Sequence, residues 1–263
     1  MKENFNTIIL KQKNHTVWVT LNRPEVHNAM NEEMIAELTE VYLSFEKEKD
    51  VRAVVLTANG KSFCAGADLN YMKNIATLGT DKNVEDAKKL AHLFKSIYNC
   101  PIPTIALVFG SAFGGANGII ASCDIVIAEE NTIFAFSEVK LGIAPATIAP
   151  FVIRRIGEFG AKELMLTGKR FKTSEAKKWN LVNHIYNKDK EDNPLNAILK
   201  QFGSSAPEAV KETKKLIRDI LGKDINEGID YTSKLIATLR ASGEGQEGMA
   251  AFLEKRKPNW TTE

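Results

Sequence analysis

SFCAGADL (residues 62–69) and AFGGANG (residues 112–118) are the two stretches on which the reading of this chain turns. Both are rich in small residues, and the second offers almost no chemistry in its side chains. Each follows a short apolar run, VRAVVLTA at 51–58 before the first and PIPTIALVFG at 101–110 before the second. Unbroken apolar runs of this length suit strands buried on both faces of a parallel sheet. Small residues at the strand ends let another molecule approach the main chain closely. Two such strand ends in one parallel sheet can aim backbone N–H groups at a single point. That arrangement holds a carbonyl oxygen as it gains negative charge. A helix starting just after Gly115 would add its positive end. Either loop taken alone reads as an ordinary strand-to-helix turn. If the backbone is the working group, a proton carrier must come from elsewhere.

Outward from these loops the chain reads as alternating strands and helices. Strands are expected at 6–12 and 16–21, joined by a turn around Asn14, with Pro24 stopping the second. Asn31 is placed to cap a helix whose apolar residues Met34, Leu38, Val41, Tyr42 and Phe45 recur at helical spacing. A long helical stretch runs from the first loop to about residue 99. Strands follow at 123–128 and 131–136, then a loop (EVKLGIAPATIAP), a helix over 148–166, a helix capped by Thr173 or Ser174, and a strand at 181–186. Beyond about 192 the pattern is helical, ending in one helix over 226–256. The expected organisation is an α/β core over residues 1–195 and a helical region over 196–263, with no linker between them.

The composition excludes several classes. The chain has 263 residues, 44% hydrophobic and 26% charged, with a formal net charge of +2. These values fit a soluble globular protein and argue against nucleic acid as a partner. Lysines gather over 161–178, but acidic residues interrupt them, as on a solvated helical face. No apolar stretch reaches the length that crosses a bilayer, so no membrane partner is expected. Cys64, Cys100 and Cys123 form no CxxC pattern and read as buried thiols of a reducing cytoplasm. His15, His27, His92 and His184 show no metal-ligand spacing. NGKS at 59–62 is no phosphate loop, because Val55 stands where that motif needs glycine. Neither a dinucleotide fingerprint nor a nucleophile elbow is present. No metal or redox cofactor is indicated.

FCAGADL, AFGGA and CDIVIA, together with LNRPEVHNAMN, FSEVKLGIAP, LTGKRF and EGMAAFLEKRKPNW, resemble the crotonase (enoyl-CoA hydratase/isomerase) family, in one order from about residue 6 to 260. The resemblance implies an α/β spiral of ββα units with C-terminal helices that build homo-trimers, often paired into hexamers. It implies coenzyme A as part of a thioester substrate and no permanently bound cofactor. By the same resemblance, Ala67 and Gly115 match the two positions whose N–H groups hold the thioester oxygen. Ala65 and its neighbours Gly66, Asp68 and Leu69 match the loop that meets the adenine end of coenzyme A, with Asp68 also suited to cap the next helix. Gly114 and Gly118 match the second substrate loop, and Phe252 and Lys255 match positions that help cover bound coenzyme A.

The chain departs from the usual family pattern at one place. Relatives that hydrate enoyl-CoA carry a glutamate three residues after the second oxyanion glycine and another twenty further on; here these positions are Gly118 and Glu138. Glu138 can move a proton, and an apolar setting would raise its pKa toward that task. Water activation by two glutamates is not available. SEVKLGIAPATIAPFVIRRIGE resembles bacterial methylglutaconyl-CoA hydratases, so a hydratase acting on a branched or carboxylated enoyl-CoA is the leading expectation. It would use Glu138 for both proton steps or recruit the substrate's own carboxylate. A Δ3-Δ2 enoyl-CoA isomerase using Glu138 alone is the alternative. A third possibility is a catalytically inert CoA-thioester binding or assembly subunit.

Overall fold

The structure is a computed structural model and describes residues 4–190 and 192–262. In chain order its elements are β1 (Ile8–Lys13), β2 (Thr16–Leu21), α1 (Glu32–Ser44), β3 (Ala53–Ala58), α2 (Leu69–Ala76), α3 (Thr80–Asn99), β4 (Thr104–Val108), β5 (Ser111–Phe113), α4 (Gly115–Ser122), β6 (Ile125–Glu129) and β7 (Ile133–Ala135). There follow α5 (Ala149–Thr167), β8 (Arg170–Lys172), α6 (Thr173–Lys178), β9 (His184–Tyr186), α7 (Leu195–Ser204), α8 (Pro207–Ile220), α9 (Ile225–Ala241) and α10 (Gly243–Leu253).

Alternation in TVWVTL places Val17, Val19 and Leu21 inward on β2. β1 returns on it as an antiparallel hairpin, and β3, β4, β6 and β9 then add in parallel, giving the order β1-β2-β3-β4-β6-β9. A second, three-stranded sheet has the order β5-β7-β8. The two sheets are fed in turn. β4–β5–α4 and β6–β7–α5 each send their first strand to the large sheet and their second to the small one. This ββα repeat is the α/β spiral that the sequence implied.

The large sheet is covered on both faces, as a mainly parallel sheet must be. Val54 and Leu56 of β3 enter the main core with α1, α3, α4 and α5, while Val55 points the other way, with Ile105 and Ile127, onto Leu195 and Ile198 of α7. The sheet therefore reaches past residue 195 for its second cover. The helical region beyond it is present as α7 to α10.

Several expectations need correction. β5 and β8 were not anticipated, because three residues are too few to show a period. The second glycine loop consequently leaves a strand of the small sheet, not the large parallel sheet assumed for both loops. Gly110 makes the step possible: its φ is +65°, and a Cβ there would lie 2.0 Å from Lys61 O. The helical stretch to residue 99 is divided at Thr77–Gly79 into α2 and α3. Neither Thr173 nor Ser174 caps α6, which begins at Thr173 itself. The Thr173 hydroxyl instead donates to Glu129 O at 2.5 Å, a tertiary acceptor invisible to local capping rules. The last helix is two, because Ser242 is extended and accepts from Gly245 N–H at 3.0 Å to start α10. Asn31 does cap α1, accepting from Met34 N–H at 3.0 Å.

Candidate active site

Gly66 is the pivot of the first loop. Cys64 pairs with β5, donating to Ser111 O and accepting from Phe113 N–H, both at 3.1 Å. In a regular strand the Gly66 carbonyl would face the same side two residues on. Gly66 has φ +99°, and its carbonyl turns instead to Met30 N–H at 2.7 Å. A trans peptide sets its N–H opposite its C=O. The Ala67 N–H therefore faces the β5 side, and among the described residues it has no acceptor. Asp68 N–H closes the bridge by donating to Met30 O at 2.9 Å.

The second loop presents an amide by the same device. Gly114, with φ +52°, donates to Ala135 O at 3.0 Å and accepts from Asn117 N–H at 2.9 Å. With the Gly114 carbonyl held inward, the N–H of Gly115 points out of the first turn of α4. It too has no acceptor among the described residues. The loops touch one another. A Cβ on Gly66 would stand 3.0 Å from Phe113 O, and one on Gly115 would strike the Met30 methyl at 2.6 Å. Ala67 is exposed and Gly115 half-buried, so both amides lie at the surface.

Glu138 follows β7 in a 3-10 turn over Ser137–Leu141. Its carboxylate packs on the second loop, with Oε1 3.4 Å from the position of a Cβ on Gly114. Oε2 is buried with no hydrogen-bond partner. Desolvation raises its pKa above the ordinary glutamate value, partly offset by its own backbone amide. Gly118 lies deeper and is fully buried. A Cβ there would meet Ile148 Cγ2 at 2.5 Å and the Phe94 ring at 2.7 Å. Apolar side chains thus occupy the space into which a second carboxylate would project.

Asp68 caps α2 by accepting from Asn70 N–H at 2.9 Å and Tyr71 N–H at 3.3 Å, and it pairs with Arg23 at 3.0 Å. Burial alone would raise its pKa, but these amides and the Arg23 guanidinium hold it below the usual carboxylate range. Ala65 N–H is taken by His27 O at 3.0 Å, and Leu69 is exposed at the start of α2. Phe252 and Lys255 are exposed at and just beyond the end of α10, which packs on α9. The described structure brings together Gly66, Ala67, Gly114, Gly115 and Glu138, and leaves Phe252 and Lys255 on the helical tail. Sequence reasoning passed over Met30 and Asn117, both of which shape this site. A lone asparagine among small residues at a helix start was the available signal for the second.

A different hollow, a groove of about 470 Å³, runs between α8 and the sheet and is lined by Ile125, Phe202, Val210 and Lys214 among others. Two of its polar side chains are engaged with each other: Lys214 Nζ donates to Asp124 Oδ2 at 2.6 Å, an oxygen that also accepts from Thr104. No helix among the described residues is long and apolar enough to cross a membrane.

Residues 11–263 match the family model described as enoyl-CoA hydratase/isomerase. A putative enoyl-CoA hydratase of Thermus thermophilus is 35% identical, over 95% of this chain and 98% of that protein. A short-chain-enoyl-CoA hydratase of Clostridium acetobutylicum is also 35% identical, over 96% of each chain. The crystal structure of a putative enoyl-CoA hydratase/isomerase from Legionella pneumophila superposes with a TM-score of 0.89 at 42% identity, over 98% of this chain and all of that one.

Two outcomes are expected from this geometry. Because the folded-state pKa of Glu138 lies above its unfolded value, ionising it costs stability as pH rises through the folded pKa. Glu138→Gln should melt above the wild type at pH 7, and the advantage should vanish below about pH 4. Thermal scans across pH read this directly; an advantage independent of pH would contradict the buried-carboxylate account. Gly118→Glu should destabilise by at least about 3 kcal/mol through overpacking and a buried charge. Chemical denaturation should show Phe94→Ala relieving part of that added cost when the two changes are combined.

Proposed function

Because the chain belongs to the enoyl-CoA hydratase/isomerase family, we propose that it adds water to a 2-enoyl thioester of coenzyme A through a thioester enolate, with Glu138 as the acid and base. Two unclaimed amides, at Ala67 and Gly115, beside an unpartnered carboxylate oxygen of Glu138 carry the proposal. The thioester oxygen accepts from both N–H groups. The Glu138 carboxylate takes a proton from water as the water oxygen bonds to C3. The C2–C3 π electrons pass to the thioester, and the enolate oxygen is held by the two amides, which strengthen as charge grows on it. The Glu138 carboxyl then returns a proton to C2. One water has been added, and Glu138 ends as it began. A raised pKa suits a group that both takes and returns a proton near neutrality.

The resemblance of the segment after Glu138 to methylglutaconyl-CoA hydratases points to a branched or carboxylated acyl group as the finer substrate. Ala65, Gly66 and Leu69 would meet the adenine end of coenzyme A, and Phe252 and Lys255 would cover it. The exposed apolar residues Ile217 of α8, Leu221 just after it, and Ile225 and Ile229 of α9 offer the contact surface of a homo-trimer or hexamer. A second reading is favoured by one observation. Phe94 and Ile148 fill the space around Gly118, leaving one carboxylate. One carboxylate is sufficient to carry a proton from C2 to C4 of a 3-enoyl-CoA, which is isomerisation.

Absorbance of the conjugated thioester separates the possibilities. Purified protein should bleach crotonyl-CoA or methylglutaconyl-CoA. A gain of signal from 3-enoyl-CoA without any bleaching would replace hydration by isomerisation, and silence with all three despite binding would leave a non-catalytic protein. Glu138→Gln should lower kcat by about 100-fold or more while CoA-ester binding persists. Gly115→Pro deletes one amide and should cost on the order of 100- to 1000-fold in kcat; Gly115→Ala, which brings a Cβ against the same Met30 methyl but keeps the amide, should cost far less.

A further inference from the structure

We infer that Asn117 is a positioning residue that holds the Gly115 amide and the Glu138 carboxylate in mutual register, an inference that rests on the acid–base reading above. Asn117 is fully buried in the first turn of α4. Its main chain and side chain both act on the Gly114 turn. Its backbone N–H donates to Gly114 O at 2.9 Å, which fixes the peptide whose other end is the Gly115 N–H. Its Nδ2 donates to Ala135 O at 2.8 Å and to Ala112 O at 3.3 Å. Ala135 O is the same oxygen that accepts from Gly114 N–H at 3.0 Å.

Ala112 lies on β5, the strand that enters the second loop. Ala135 ends β7, three residues before Glu138. One carboxamide therefore ties the strand that leads to the amide to the strand that delivers the carboxylate. A helix N-terminus docked by ladder bonds alone could slide or rotate against β7; this cross-tie opposes that motion.

The other end of the carboxamide speaks to purpose. Asn117 Oδ1 is buried with no hydrogen-bond partner. Leaving such an acceptor unpaired costs stability, and an apolar residue of the same shape would avoid it. Asparagine at this position is thus poorly explained by packing and well explained by the two bonds its Nδ2 makes. A misplacement on the order of 1 Å between reacting groups can cost about 100-fold in rate, so a cross-tie of this kind acts on turnover more than on binding.

The test compares wild type with Asn117→Leu, which keeps the shape and removes the donor, and Asn117→Asp, which keeps shape and polarity but loses the amide donor. Substrate is whichever of crotonyl-CoA, methylglutaconyl-CoA and 3-enoyl-CoA the wild type converts. Both variants should lose about 10- to 100-fold in kcat with KM changed less than threefold. Binding of a chromophoric 2-enoyl-CoA supplies a second readout. Amides aimed at its carbonyl polarise the conjugated system and shift its absorbance to the red, and the shift should shrink in the variants at unchanged affinity. Asn117→Leu should also melt within a few degrees of wild type. A kcat within twofold of wild type with an undiminished red shift in either folded variant would overturn the role. So would a variant whose only change is a lower melting temperature. Wild-type protein that converts none of the three would overturn the acid–base reading itself, and this inference with it.

Discussion

Everything at the candidate site depends on two glycines that turn the chain over. Gly66 and Gly114 both sit at positive φ, and in each case a carbonyl is turned inward to a main-chain donor. The planar peptide then has no choice but to send the next N–H outward. An amide freed in this way costs stability unless water or a ligand satisfies it. At Ala67 and at Gly115 water can satisfy it, and the two loops, which touch, leave both amides open to a ligand. A residue with a Cβ would be strained at both pivots, and at Gly66 it would also crowd Phe113 O.

The two sheets supply the rigidity that such an arrangement needs. The first loop leaves β3 in the centre of the large sheet, and the second leaves β5 in the small one. They are stitched by main-chain pairing of Cys64 with Ala112, and Ala67 pairs in turn with Met30, just before α1. Met30 also packs its methyl against Gly115, so one residue contacts both loops, through its backbone on one side and its side chain on the other. Behind the loops, Phe94, Ile148 and the glycine at 118 form part of the apolar core. Among the described residues, what the two loops and the turn after β7 present is spare: main-chain donors and the Glu138 carboxylate.

That carboxylate shows how placement sets reactivity. Asp68 and Glu138 are both substantially buried, yet their titration is pushed in opposite directions. Asp68 meets two helix amides and Arg23, and its charge is stabilised as a structural cap. Glu138 meets none of these at Oε2, and desolvation dominates. The difference lies in neighbouring donors, since depth alone would raise both.

Much of this was legible in the residues. The apolar runs before each loop, the helical spacing after Asn31 and the glycine-rich turns are local signals, and they identified the α/β class, most of the strands and the α1 cap. The family resemblance pointed to Ala67, Gly115 and Glu138. What the order of residues could not reveal was which sheet each strand joins, since pairing is set by partners distant in sequence; β5 and β8 are too short to show any period. Nor could it show that Gly118 is backed by Phe94 and Ile148, that Thr173 would donate to a strand carbonyl instead of capping, or that Asn117 reaches both β5 and β7. A chain specifies its local conformations through propensity and pattern. Which amides remain unpaired, and which carboxylate oxygen is left without a donor, emerge only when all other groups have found their partners in three dimensions.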